Sequence, residues 1–190
     1  MSKFYVTCAQ GLAPYVKEEL LALGVDASEV GTGVTFTGEL KDAYNACLWV
    51  RCGSRVLLEL KEGKFTSLDQ LHNELSLFSW STHMTENSTF STKVTVRRAG
   101  NIHTHFAALR VKDAIVDYFS DLMGTRPNVD VEDPDVRFYV HIFEDRYTLY
   151  LDLSGEPLHK RGFRTEQGAA PIKENLAAAL LYRSKWPEKA

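Results

Sequence analysis

Within the first sixty-odd residues, short alternating runs and two amphipathic stretches follow one another as strand, helix, strand, strand, helix, strand. Lys3–Cys8 alternates side-chain character as a half-buried strand does. Ala13–Leu23 sets Tyr15, Leu20, Leu21 and Leu23 among Lys17, Glu18 and Glu19, with Gly24 placed to stop the helix. Gly31-Thr32-Gly33 separates two short strands, the second over Val34–Thr37. Glu39–Val50 returns to helical spacing through Leu40, Tyr44, Cys47 and Leu48, and Ser54–Leu60 is a strand rich in Val and Leu. This order admits few packings, the simplest being an antiparallel sheet with both helices on one face.

The order is that of a ferredoxin-like βαββαβ unit, expected over residues 1–64 with Glu62-Gly63-Lys64 as the boundary. Beyond it, Ser67 is a candidate N-cap for a helix to Phe78 whose stripe is Leu68, Leu71, Leu75 and Phe78. Thr89–Arg97 alternates as a strand. A loop over Arg97-Arg98-Ala99-Gly100-Asn101 follows, then a long helix to about Phe119 with Ala108, Val111, Ile115, Phe119 and Leu122 as its apolar face. Val136–Phe143 and Tyr147–Leu153 read as a hairpin across Glu144-Asp145-Arg146. The fold class is therefore α+β, a ferredoxin-like domain followed by a second α/β domain.

With 44% hydrophobic and 25% charged residues in 190, the chain has the composition of an ordinary globular protein. No run of 18 apolar residues exists, so no membrane partner is expected. The N-terminus lacks the apolar core of a signal peptide, and three cysteines make no disulfide framework, so the cytoplasm is the expected compartment. Net charge is −3, yet the charge is segregated. From Asn87 to Lys112 there is no Asp or Glu, while Lys93, Arg97, Arg98, His103, His105, Arg110 and Lys112 all fall there. A second acid-free stretch, Pro157–Thr165, holds His159, Lys160, Arg161 and Arg164. Between them Asp113–Glu156 carries eleven acids against Arg126, Arg137 and Arg146. Such segregation either puts a positive face on an acidic molecule, whose local field would steer a phosphate backbone, or is a chance fluctuation on solvated faces.

The loop before the long helix has the makings of an anion site. Arg97 and Arg98 end a strand, Gly100 permits a tight turn, and Asn101 is placed to cap the helix, whose free N–H groups and positive dipole end would face a phosphate. His103 and Arg110 lie seven apart on one stripe. An ordinary capped helix with solvated bases fits the same residues. In the second cluster Lys160, Arg161 and Arg164 are either phosphate contacts or a solvated linker, and Phe163 either stacks on a base or, more naturally, plugs the core. No CxxC, HExxH, GxSxG or phosphate-binding glycine loop occurs, and Asp130, Asp133 and Asp135 fit turn chemistry around Pro134. No catalytic, metal or cofactor residue is assigned to this chain.

Several segments together resemble a known family. These are Ala107–Phe119, Arg126-Pro127-Asn128-Val129-Asp130, Pro134-Asp135-Val136-Arg137, and the junction Asp152-Leu153-Ser154-Gly155 through Arg164 with Ala169–Leu180. They resemble the THUMP domain, and its junction with the catalytic domain, in bacterial RNA guanine-N2 methyltransferases. Ala9-Gln10-Gly11-Leu12 and Gly33-Val34-Thr35-Phe36 are similar to the ferredoxin-like domain preceding THUMP there. The resemblance implies a THUMP domain over residues 65–165, then a linker and first helix of a methyltransferase domain over 166–190, with Pro171 opening a helix to Lys185. It further implies structured RNA, 23S rRNA in the nearest branch, as partner, and S-adenosylmethionine as cofactor of a C-terminal methyltransferase domain. The RNA contacts it points to are Arg97, Arg98, Asn101, His103, Arg110, Lys112, Lys160, Arg161 and Arg164, with the two acid-free stretches joining in one cationic platform. A THUMP module serving another tRNA or rRNA modification, or a regulatory α/β pair that binds no RNA, remain as alternatives.

Overall fold

A computed structural model describes residues 1–164, 166 and 168–186. The chain divides into two compact units, Met1–Glu59 together with the chain from Asp152 onward, and Leu60–Leu151.

In the first unit β1 (Ser2–Cys8), α1 (Ala13–Ala22), β2 (Ala27–Val30), β3 (Gly33–Gly38), α2 (Leu40–Trp49) and β4 (Gly53–Lys64) follow in the expected order. The strands lie β2-β3-β1-β4, each neighbour antiparallel, which is the ferredoxin-like arrangement. Phe4 pairs with Phe36 across β1 and β3 and the rings stack 5.0 Å apart, beside Val6, Val34 and Val56. Gly24, at φ 79°, ends α1 in a left-handed turn closed to strained side chains. At the start of α2 the Asp42 carboxylate accepts the Glu39 amide at 2.8 Å.

The helix faces differ from the sequence expectation. α1 buries Ala13, Val16, Leu20 and the carboxylate of Glu19, while Leu21 is exposed. Glu19 is held inside because its Oε2 accepts the amides of Arg51 and Cys52, each at 3.0 Å. α2 buries Ala43 and Ala46, whose small side chains let it lie close on the sheet, and so turns Leu40, Tyr44 and Leu48 outward.

The chain from Asp152 onward completes this unit. Leu153 N bonds to Val56 O at 2.9 Å and Leu158 N to Ser54 O at 2.8 Å, bringing Leu158 into the core. The sequence reading assigned residues up to 165 to the second domain, a limit that falls on a residue outside those described. The helix expected from Pro171 to Lys185 is shorter, α5 (Glu174–Arg183), with Lys173 rather than Pro171 at its start. It packs by Asn175, Ala178, Ala179 and Tyr182, and the larger Ile172, Leu176, Leu180 and Leu181 remain exposed.

The second unit contains α3 (Leu68–Ser76), a 3-10 turn at Trp80–Thr82, β5 (Phe90–Arg97), α4 (Thr104–Met123), β6 (Val136–Phe143) and β7 (Arg146–Asp152). Ser67 caps α3 as expected, its Oγ accepting Gln70 N at 3.1 Å. β5 and β6 run parallel and are joined through α4, while β6 and β7 form the expected hairpin across Glu144 and Asp145. α4 continues past Phe119 to Met123 and stops at Gly124, φ 67°. Its buried face is Ala107, Val111, Ala114, Ile115 and Phe119; Leu122 is exposed and Ala108 only half-buried.

Trp80 is the centre of this core, its ring edge-on to Phe78 and Phe138 at 4.9 Å from each. The segment Glu62-Gly63-Lys64, read as a boundary, lies inside β4. Gly63 is there because a Cβ would meet the Tyr147 ring at 2.7 Å. Period-two alternation sends Phe138, Val140, Ile142, Tyr147 and Leu149 into the core with the helices. The opposite side of the same strands carries Lys93, Thr95 and Arg97, then Tyr139, His141 and Phe143, then Arg146, Thr148 and Tyr150.

Candidate nucleic-acid interface

β5 delivers Arg97 to its exposed end, where Arg97 O accepts the amide of Glu144 at 3.1 Å and ties the loop to the hairpin. Arg98 follows at φ 53°, a left-handed conformation unusual outside glycine, and Gly100 at φ 61°. The Arg98 guanidinium lies 5.6 Å from the centroid of the Phe143 ring. Among the described residues neither Arg97 nor Arg98 forms an ion pair.

Asn101 does not cap α4. The N-cap is His103, and no side chain accepts the first-turn amides. The chain needs two further residues after Asn101 to enter the helix, so Asn101 stays on the exposed turn. Phe106, 59% exposed in the first turn, stands edge-on between His103 and His105, with centroids at 6.2 and 6.0 Å.

The remaining basic residues are engaged within the chain. Arg110 of α4 pairs with Asp69 of α3 across a shallow groove of about 410 Å³ that Leu68, Phe106, Leu109 and Asp113 also line. Lys112 lies 3.1 Å from Asp113, and Lys160 3.1 Å from Glu156. Arg164 pairs with Glu174 at 3.5 Å and donates to Ile172 O at 2.9 Å. Arg161 donates to the carbonyls of Cys47, Leu48 and Val50 at 3.1, 2.5 and 2.7 Å. These are orphan acceptors at the end of α2, where a cation also meets the negative dipole end. Arg161 is thus a C-terminal cap for α2. Phe163, expected in the core, is 84% exposed.

Arg97, Arg98, Asn101, His103, Arg110 and Lys112 belong to the second unit, and Lys160, Arg161 and Arg164 to the first. Sequence reasoning passed over His141, Phe143 and Arg146, which the hairpin sets beside Arg97 in register. The signal was the alternation itself, followed along its outward positions.

Burial holds the pKa of His141 below the ordinary imidazole range, and Arg97 adds to the effect. Burial likewise depresses His83, and His159 with help from Lys173. A histidine kept neutral in the fold contributes stability that is complete above its unfolded value of about 6.5 and is lost as pH falls through the folded one. The thermal midpoint is expected to fall as pH drops below about 6.5, and a two-dimensional NMR titration to show His141 protonating below free imidazole.

Residues 65–152 match the THUMP domain profile, and residues 3–57 match that of the RlmL ferredoxin-like domain. The chain thus contains a THUMP domain preceded by an RlmL-type ferredoxin-like domain. Across 98% of its length it is 46% identical to the ribosomal RNA large subunit methyltransferase K/L of Syntrophotalea carbinolica. The chain spans 26% of that relative, corresponding to its N-terminal part. Two solved structures share the fold at a TM-score of 0.83. One, described as a predicted N6-adenine-specific DNA methylase from Listeria monocytogenes, is 30% identical, covering 95% of this chain and 48% of its own. The other, described as "SMU.472, a putative methyltransferase complexed with SAH", is 25% identical, covering 97% and 49%. No helix among the described residues is long and apolar enough to cross a membrane.

Proposed function

We propose that this chain is the RNA-binding module of an S-adenosylmethionine-dependent methyltransferase, holding structured 23S rRNA while a further domain methylates guanine N2. The observation that carries this reading is the THUMP match over a unit whose acid-free segment presents Arg97 and Arg98 unpaired beside an uncapped helix start. The name shared by its curated relatives favours rRNA over tRNA as the substrate and the cytoplasm as the setting.

S-adenosylmethionine would supply the methyl group, and residues of this chain do not fit it. The groove between α3 and α4 is open, is bridged by the Arg110–Asp69 pair and has no glycine turn for close backbone approach. What this chain does is bind and orient. Arg97 and Arg98 neutralise phosphates, with Asn101 and His103 on the adjoining turn and Arg110 and Lys112 adding field along α4. Lys160 and Arg164 are surface cations tempered by Glu156 and Glu174, and Arg161 acts through the shape of α2.

The apolar exteriors of α2 and α5, with Leu48, Trp49, Leu180 and Leu181 all more than half exposed, suit contact with the methyltransferase domain of the parent protein.

Replacing Arg97 and Arg98 together by alanine should weaken binding of the chain to an rRNA stem-loop and flatten its salt dependence. The slope of log affinity against log salt should lose about one unit per residue. Unchanged affinity and slope would reject the site. Arg161→Ala should instead lower the thermal midpoint with the slope retained.

A further inference from the structure

β5 is the last strand of its unit in the order β7-β6-β5, and its backbone groups divide by parity. Val136 N donates to Thr89 O at 3.1 Å and Glu144 N to Arg97 O at 3.1 Å, so the odd-numbered residues face β6. The even-numbered residues face away. Phe90 is paired there, its N–H donating to Asn128 O and its carbonyl accepting Asp130 N, each at 3.0 Å. Among the described residues, nothing bonds to the N–H or C=O of Thr92, Val94 or Val96. Three donors and three acceptors thus line an open sheet edge, a template for one more strand.

The chain itself starts such a strand and cannot finish it. Val129 lies beside Phe90, but Asp130 Oδ1 accepts the amides of Glu132 and Asp133 at 2.9 and 3.0 Å and turns the segment away. Asp135 is tied to Thr89 at the start of β5, so no length is left to run on beside Thr92. Val131, the next residue in line, is 80% exposed.

Two properties of this edge narrow its occupant. Residues opposite one another in a sheet project to the same face. Phe90, Val94 and Val96 pack in or against the core, whereas Lys93, Thr95 and Arg97 are exposed. A strand laid here sets apolar side chains beside the first row and acids beside Lys93 and Arg97. The native fragment that begins it, Val129-Asp130-Val131-Glu132, has that alternation. The hydrogen-bonding groups point the same way. Phosphates could accept from the three amides, yet they would leave the three carbonyls without donors. A peptide backbone satisfies both.

We propose that the open edge of β5 is a docking site for a protein partner, which adds an extended segment of alternating apolar and acidic residues as a further strand. This interaction is separate from RNA binding and stands without it.

The probe is a fluorescein-labelled peptide, Val-Asp-Val-Glu-Val-Asp-Val, added to the whole 190-residue chain. Binding is read by anisotropy and backbone protection by NMR-detected hydrogen exchange. Saturating peptide should slow exchange of the Thr92, Val94 and Val96 amides by about 10-fold or more. N-methylation of alternate peptide residues should abolish binding in one phase and spare it in the other, because only one edge of the added strand meets β5. Lys93→Glu should weaken the acidic peptide about 2- to 10-fold and favour a counterpart with lysines in place of its acids. The proposal fails if the three amides gain no protection with peptide in excess, or if both methylated forms bind like the parent. A scrambled peptide that binds as tightly would reduce the effect to charge and overturn it too. Protection of the same amides by an rRNA stem-loop, and not by the peptide, would assign the edge to RNA instead.

Discussion

Trp80→Ala is expected to cost about 3–5 kcal/mol of unfolding free energy, the largest single effect foreseen in the second unit. Trp80 is fully buried, and its ring is the surface on which Phe78 and Phe138 converge. Its Nε1 also donates to the carbonyl of Leu75 at 2.8 Å, where the backbone leaves α3. Alanine therefore opens a cavity and removes one buried hydrogen bond, leaving the Leu75 carbonyl to the Phe78 amide at 3.1 Å. Trp80→Phe keeps most of the volume and loses the hydrogen bond, so its cost should be smaller, about 1–3 kcal/mol. Urea unfolding followed by circular dichroism separates the two. Equal losses would mean that packing around the indole contributes little.

Asp152→Ala is the counterpart in the first unit, at about 3–5 kcal/mol. The carboxylate is fully buried against the guanidinium of Arg55. Its Oδ1 accepts the Ser154 amide at 2.9 Å, Ser154 Oγ accepts Val56 N at 2.7 Å, and Arg55 also donates to Gly155 O at 2.8 Å. Removing the carboxylate leaves a largely buried cation short of a partner and loosens the turn that returns the chain to β4. Burial raises the Asp152 pKa, with the Ser154 amide and Arg55 pulling the other way. The ionised carboxylate is thus costly to hold, so Asp152→Asn should lose less than Asp152→Ala. Denaturant midpoints of the two variants decide this, and an Asn variant as weak as the Ala variant would assign the stability to the charge itself.

Much of the fold was legible because one-dimensional rules sufficed. Alternation in Lys3–Cys8 and Val136–Phe143, the glycine after α1 and the serine before α3 each mark their elements locally. The helix faces were less so. In α2 the large residues suggested the buried side, yet Ala43 and Ala46 are the ones that allow the helix to approach the sheet. Gly63 reads as a break in the strand because nothing local shows that it lies within β4 against the ring of Tyr147. The basic residues were visible, but their partners were not: Arg161 spends its donors on carbonyls more than a hundred residues earlier in the chain. Phe143 and Arg97 are separated by an entire crossover and meet only through strand register. Sequence therefore revealed which side chains carry charge, and register revealed which of them act together.

The first compact unit takes its polypeptide from two stretches on either side of the second, since Leu158 and Ala179 join a core begun by Phe4 and Val6. During synthesis, residues 1–59 leave the ribosome lacking the pieces that seal them, and must wait until the inserted unit has emerged. The inserted unit, continuous in the chain, is free to fold first. Residues 1–59 are then completed only after the unit inserted behind them, against the usual vectorial order.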